Sequence, residues 1–117
     1  MALADYEHDS LRCIRCSYCK WIPRENMRHP DFMASCLSAA RYHFHACESG
    51  GKFNMALSLM KGRIDYTDGL LDAVYKCQMD GSCDVSCKAW NEIEHHVASL
   101  SRCINNEHGK AATRRDP

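Results

Sequence analysis

"CQMDGSCDVSCK", residues 77–88, sets Cys77, Cys83 and Cys87 in a polar stretch that also holds Asp80 and Gly81. An aspartate stands where a more regular repeat would carry another thiol. Earlier in the chain "CIRCSYC" places Cys13, Cys16 and Cys19 at C-x2-C-x2-C. If Asp80 takes the second position, the later stretch becomes C-x2-D-x2-C-x3-C and falls into the same frame. The two stretches then read as two halves of one device.

The rest of the chain limits what that device can be. At 117 residues this is a single domain with a modest core. Nine cysteines exceed ordinary usage, and an odd number cannot all pair, so something besides apolar packing is expected to hold the chain together. Fifteen basic and fifteen acidic residues cancel. With no long run of either sign, neither a nucleic-acid footprint nor a polybasic membrane patch is suggested, and the expected partner is a protein. The opening "MALADYEHDS" is acidic and lacks an apolar h-region, which predicts no secretory signal and a cytoplasmic chain. Cytosolic thiols are kept reduced, and closely spaced ones are more often metal ligands or catalysts than disulfides. No apolar run approaches the roughly 20 residues needed to span a bilayer, so no direct membrane span is expected.

Apolar spacing predicts helices and loops without strands. Met33, Leu37, Ala40 and Phe44 recur at helical intervals, as do Phe53, Ala56, Leu57 and Met60, the second run ending at Lys61 and Gly62. Thr67 can cap a third helix carrying Leu70, Leu71 and Val74 to Cys77, with Asp68 favoured by the dipole in its first turn. Trp90, Ile93, Val97, Leu100 and Ile104 mark a fourth helix expected to stop before Gly109, leaving "KAATRRDP" as a loose tail.

A C-x2-C-x2-C loop can wrap one face of a compact inorganic cubane, with three thiolates reaching three corners. In two-cluster ferredoxin runs the fourth cysteine serves the other cluster, so each loop completes its neighbour's site. On that arithmetic Cys13, Cys16 and Cys19 take Cys87 as fourth ligand. Cys77 and Cys83 need one thiolate from the first half, where the frame falls on Pro23. The next cysteine is Cys36, beyond the insertion "KWIPRENMRHPDFMAS", and it is the candidate for the second cluster. Asp80 is the candidate weak oxygen donor there. The cofactors expected are two iron–sulfur clusters, the first 4Fe-4S, the second either 4Fe-4S with a non-cysteine ligand or 3Fe-4S.

The chain resembles the α-helical ferredoxin domain shared by the iron–sulfur subunit of succinate dehydrogenase and the C subunit of heterodisulfide reductase. The resemblance runs from about Leu11 to about Val97. It rests on "LRCIRCSYC", on "GGKFNMALSLMKGRIDYTDGLLDAVYKC" and on the C-x5-C-x3-C of Cys77, Cys83 and Cys87. It implies an all-α fold in which two helical halves enclose two clusters, with a domain over 11–106, an N-terminal extension over 1–10 and a tail over 107–117. It also implies an electron relay without a substrate site, working between a flavoprotein or a heterodisulfide reductase B-like subunit and an acceptor. The chain departs from the family after the last ligand of each half, where proline is usual and Leu37 and Lys88 stand instead.

A zinc-stabilised interaction module is the alternative. Zinc accepts four thiolates but seldom needs C-x2-C-x2-C in one loop. Cys103 sits beside the apolar face of the last helix and reads as a small buried hydrophobe, while Cys47 reads as a loop thiol or a spare ligand. His43 and His45 are not set into cysteine loops, which argues against a Rieske-type centre, and His95 and His96 show no ligand spacing. Tyr18 and Trp21 flank the first loop and are expected to shield its cluster. No nucleophile with a nearby base, no glycine-rich phosphate loop and no paired carboxylates suggest independent catalysis.

Overall fold

The computed structural model describes residues 2–22, 28–87 and 97–115. Within them the chain is all-α: the only extended pairing is an isolated antiparallel bridge between Trp21 and Ala34. A 3-10 turn over Leu3–Tyr6 leads into α1 (Glu7–Arg12), followed by α2 (Leu37–Tyr42), α3 (Ser49–Met60), α4 (Asp68–Tyr75), α5 (Ser82–Val85) and α6 (Val97–Arg115). Among the described residues no helix is long and apolar enough to cross a membrane.

Local chemistry sets most boundaries. The Thr67 hydroxyl accepts the Leu70 N–H at 3.2 Å and starts α4, with Asp68 in the first turn. A cap of this kind stabilises a helix by about 1 kcal/mol. The third helix begins at Ser49, earlier than its apolar run, and stops at Met60 because Gly62 adopts a left-handed φ of 65° and donates its N–H to the Leu59 carbonyl at 3.1 Å. The second helix is shorter than the expected run from Met33 to Phe44. Residues 33–36 are engaged with residues 20–22, through Ile22 N–H to Met33 O at 2.8 Å and Ser35 N–H to Lys20 O at 2.8 Å. His43, left-handed at φ 52°, then ends the helix.

The last helix corrects another expectation, since it passes through Gly109 and carries the supposed loose tail to Arg115. One interior glycine costs about 1 kcal/mol relative to alanine, and the alanines and lysine that follow are good helix formers. Trp90, Ile93, His95, His96 and Lys88 lie outside the described residues, as does Pro23.

The core gathers Tyr6, Phe53, Ala56, Leu70, Val74, Leu100, Cys103 and Ile104 from the N-terminal turn, α3, α4 and α6. The opening residues, read as an extension, thus contribute a fully buried tyrosine, and Asp9 and Ser10 are buried beside it. Cys13 and Cys83 pack against this cluster. The apolar core is therefore the floor on which both cysteine loops rest.

Candidate metal centres

Both cysteine loops follow the same backbone path. Each leaves a helix, α1 before Cys13 and α4 before Cys77, and each makes two left-handed residues before re-entering a helical turn. In the first loop these are Arg15 (φ 59°) and Ser17 (φ 65°); in the second they are Met79 (φ 56°) and Gly81 (φ 78°). Counted from Cys13 and from Cys77, the positions coincide. Ser17 and Gly81 are each the residue before the next turn, Tyr18–Lys20 in one loop and α5 in the other. Lys20 N–H bonds to Ser17 O at 3.0 Å, and Asp84 N–H bonds to Gly81 O at 3.0 Å. In this register Asp80 stands where Cys16 stands, and Cys83 where Cys19 stands.

Left-handed geometry at a non-glycine residue costs roughly 1–2 kcal/mol, and Arg15, Ser17 and Met79 all bear it. Alternation of right- and left-handed residues turns successive backbone N–H groups inward, the concave arrangement found round phosphates and iron–sulfur groups. The first loop is further tied down by Arg15, whose Nε donates to Asn54 Oδ1 on α3 at 2.7 Å and whose Nη1 donates to the Cys13 carbonyl.

The insertion after Cys19 is closed at its base. The pairing of residues 20–22 with 33–36 returns Cys36 to the end of the first turn. Cys36 N–H bonds to Lys20 O at 3.2 Å, and at the corresponding place in the second half Cys87 N–H bonds to Asp84 O at 3.4 Å. Cys36 thus returns beside Lys20, the residue after Cys19, as Cys87 lies beside Asp84, the residue after Cys83. The Ser38 hydroxyl donates to the Lys76 carbonyl, fastening the start of α2 beside Cys77.

Cys36, Cys77, Asp80 and Cys83 line a single recess, together with Ser38, Ser49, Lys52 and residues 78, 79 and 81. Its empty space is about 350 Å³, counting the part open to solvent. One thiol of the first half thus meets two thiols and the aspartate of the second. The turn bearing Cys19 packs on α5, which bears Cys83, so the two loops adjoin through this pair. Cys13 is half-buried next to the core, Cys16 is exposed, and Cys87 is half-buried just past α5. Among the described residues no group of three or more His, Cys, Asp or Glu side chains is gathered for a single metal ion. Thiolates on a cluster each hold a different iron and so stand wider apart than those round one tetrahedral zinc.

The electrostatics follow from burial and crowding. Burial pushes the Cys83 thiol up to about 12, and Asp84, Cys19, Cys77 and Cys36 add to the effect. The Cys19 thiol is also raised, chiefly by burial and further by Glu48 and Cys13, against hydrogen bonds from the Ser49 hydroxyl and the Gly50 N–H that favour the thiolate. Met79 N–H bonds to Cys77 Sγ at 3.4 Å, and Ala39 N–H bonds to Cys36 Sγ at 3.4 Å. Such bonds stabilise negative sulfur. The Cys19 and Cys83 thiols are thus held toward the neutral form by burial, while backbone N–H donors point at the sulfurs of Cys36 and Cys77.

Asp80 is exposed, and its Oδ1 accepts the Ser82 N–H at 2.9 Å. This closes a turn of the Asx type, and a carboxylate retains acceptor sites beyond the one bond. Cys47 is buried, in a 3-10 turn over His45–Cys47 that connects α2 to α3. Cys103 lies in the core at 5% exposure. His45 Nδ1 pairs with Glu48, and Trp21 lines an apolar groove with Met33, Ala34, Ala39, Ala40 and Phe44, apart from the cysteine recess.

Two buried charges escape the sequence reading. Glu48 is fully buried and pairs with Lys20 Nζ at 3.3 Å, while Cys19 Sγ donates to it at 3.8 Å. Lys52 is 1% exposed and lines the recess. The signal was its spacing: Lys52 precedes core residue Ala56 by one turn of α3, on the buried face.

Comparison of the chain with protein-family models, with curated proteins and with solved structures gave no match in any of the three.

Proposed function

We propose that this chain is an iron–sulfur electron carrier of the α-helical ferredoxin type, with two adjacent centres of crossed ligation. The observation that carries the reading is the repeated loop backbone, with left-handed residues at the same frame positions and Cys36 returned to the place that Cys87 holds in the other half. The donor sets fit. Cys36, Cys77 and Cys83 would hold the second centre beside Asp80, and Cys13, Cys16 and Cys19 would hold the first with Cys87. Bound there, a cluster supplies reversible one-electron storage.

The chain's own residues do the remainder. Packing of Cys13 and Cys83 against the core limits water at their sulfurs, and N–H donors from Met79, Ala39 and Gly50 favour the thiolates. The contact between the Cys19 turn and α5 offers a short path between the centres. In this reading the protein accepts electrons from a flavin- or disulfide-reducing subunit and passes them to an acceptor.

The test is anaerobic purification followed by iron and acid-labile sulfide analysis and electron paramagnetic resonance on reduction. A brown protein with sulfide and two sets of cluster signals is expected. A colourless protein holding stoichiometric zinc without sulfide would refute the proposal and make the chain a zinc-stabilised interaction module.

A further inference from the structure

Lys52 is among the largest fully buried side chains of the protein. A lysine in that position normally has a carboxylate partner, because an unpaired buried ammonium is costly. The nearest acidic residue along the helix is Glu48, one turn earlier, but its carboxylate is engaged by Lys20 Nζ at 3.3 Å and by His45 Nδ1, and Lys52 meets Glu48 only through the helical backbone bond at 3.0 Å. Among the described residues no carboxylate lies in ion-pair distance of Lys52 Nζ. The side chain instead lines the recess with Cys36, Cys77, Asp80 and Cys83, next to the hydroxyl-bearing Ser38 and Ser49.

We infer that Lys52 is the buried cation of the second centre, facing the anionic core that Cys36, Cys77 and Cys83 would hold. The inference rests on the proposed function and adds to it a residue that ligates nothing. Thiolate-bound iron–sulfur cores carry net negative charge, and reduction adds one more. A fixed ammonium in a recess of low dielectric therefore favours the reduced form, and net charge near a cluster is one of the factors that set its potential. The arrangement also accounts for the position of Lys52: the helix that holds Phe53 and Ala56 in the core carries it to the wall of the recess.

The experiment compares wild type, Lys52→Met and Lys52→Arg by redox titration followed by electron paramagnetic resonance, with iron and sulfide content measured on each. Lys52→Met removes charge and keeps length. It is expected to make reduction of the second centre at least tenfold less favourable, a fall of 59 mV or more for one electron, with the first centre shifted less and Lys52→Arg close to wild type. An unchanged second potential in Lys52→Met of full iron content overturns the inference while the proposed function stands. Absence of iron and sulfide from the wild type overturns the proposed function itself. If Lys52→Met does not fold, wild-type protein labelled with 13C-lysine decides. The buried lysine should then show cluster-induced broadening or shift that exposed Lys61 lacks, and its absence overturns the inference.

Discussion

Two adjacent glycines at the start of α3 should respond to alanine in opposite directions. At Gly51 a Cβ would fall 2.1 Å from the His45 carbonyl oxygen and 2.7 Å from both the His45 carbonyl carbon and Ala46 Cα. Every one of these atoms is backbone. Moving from 2.1 Å to the 3.4 Å of ordinary contact requires a shift of about 1.3 Å between α3 and the 45–47 turn. The helix cannot yield freely, because Phe53 and Ala56 are fixed in the core. Overpacking of this kind costs about 1–3 kcal/mol, and replacing a helical glycine returns up to about 1 kcal/mol. The net expectation for Gly51→Ala is a loss of about 1–2 kcal/mol, several degrees in Tm for a chain of this size. At Gly50 the nearest atom is the edge of the His45 ring at 3.3 Å, a side-chain contact only about 0.1 Å tighter than the 3.4 Å of ordinary contact. Gly50→Ala is therefore neutral or stabilising by up to about 1 kcal/mol. Urea denaturation of the two variants beside wild type measures the contrast. Gly51→Ala as stable as Gly50→Ala would refute the close approach of α3 to the turn, and with it the seating of Ser49 and Gly50 against Cys19.

Cys87→Ser is expected to damage the first centre despite its distance along the chain from Cys13, Cys16 and Cys19; spectra in which only the second centre changes would reject crossed ligation. Asp80→Cys should give the second centre firmly held iron and a lower potential, since thiolate donates more charge than carboxylate, whereas unchanged iron lability together with loss of that centre in Cys47→Ser would move the fourth-ligand role to Cys47. In the metal-free protein the folded Cys83 thiol is raised from 9.0 to about 12. A raised acid group contributes stability that is present below its unfolded value and lost as pH rises through its folded one, so stability should fall between about 9 and about 12. Cys83→Ala should flatten that slope in urea titrations under reducing conditions; an equal slope in the variant would remove Cys83 as the cause.

Helices with a clear cap and an apolar stripe were legible in the sequence: Thr67 begins α4 and Gly62 follows α3 as the spacing predicts. The expectation failed where backbone pairing between distant residues overrode local pattern. Met33 fits a helical stripe with Leu37 and Ala40, yet its carbonyl is taken by Ile22 N–H, and nothing local announces that partner. The bend at His43 is a local left-handed helix end, and it matters because a straight helix would have carried Cys47 far from Cys36. Turning at His43, the chain instead brings Cys47 into a buried 3-10 turn, so geometry along the chain no longer separates the two cysteines. Buried charge was equally hidden, because Lys52 and Glu48 look like ordinary solvated residues until α3 is packed.

The frame that sequence spacing proposed for Asp80 has an independent counterpart in the backbone. Spacing alone relates Cys77, Cys83 and Cys87 to the first loop only if an aspartate is allowed to substitute for a thiol. The left-handed residues make no use of side-chain identity, and they select the same register, pairing Arg15 with Met79 and Ser17 with Gly81. A glycine at 81 relieves the cost that Ser17 bears, whereas Arg15 and Met79 carry it in both halves. Strain repeated at matched positions in two loops of different sequence calls for a shared cause, and on the proposed function an anionic occupant held by backbone N–H groups would provide one. On that view the two loops differ mainly in what faces the occupant at the second position, Cys16 in one and Asp80 in the other. An oxygen donor that already caps its own turn through Ser82 would be held more loosely to iron than a thiolate. Lys52 lines the recess that Asp80 shares with Cys36, Cys77 and Cys83.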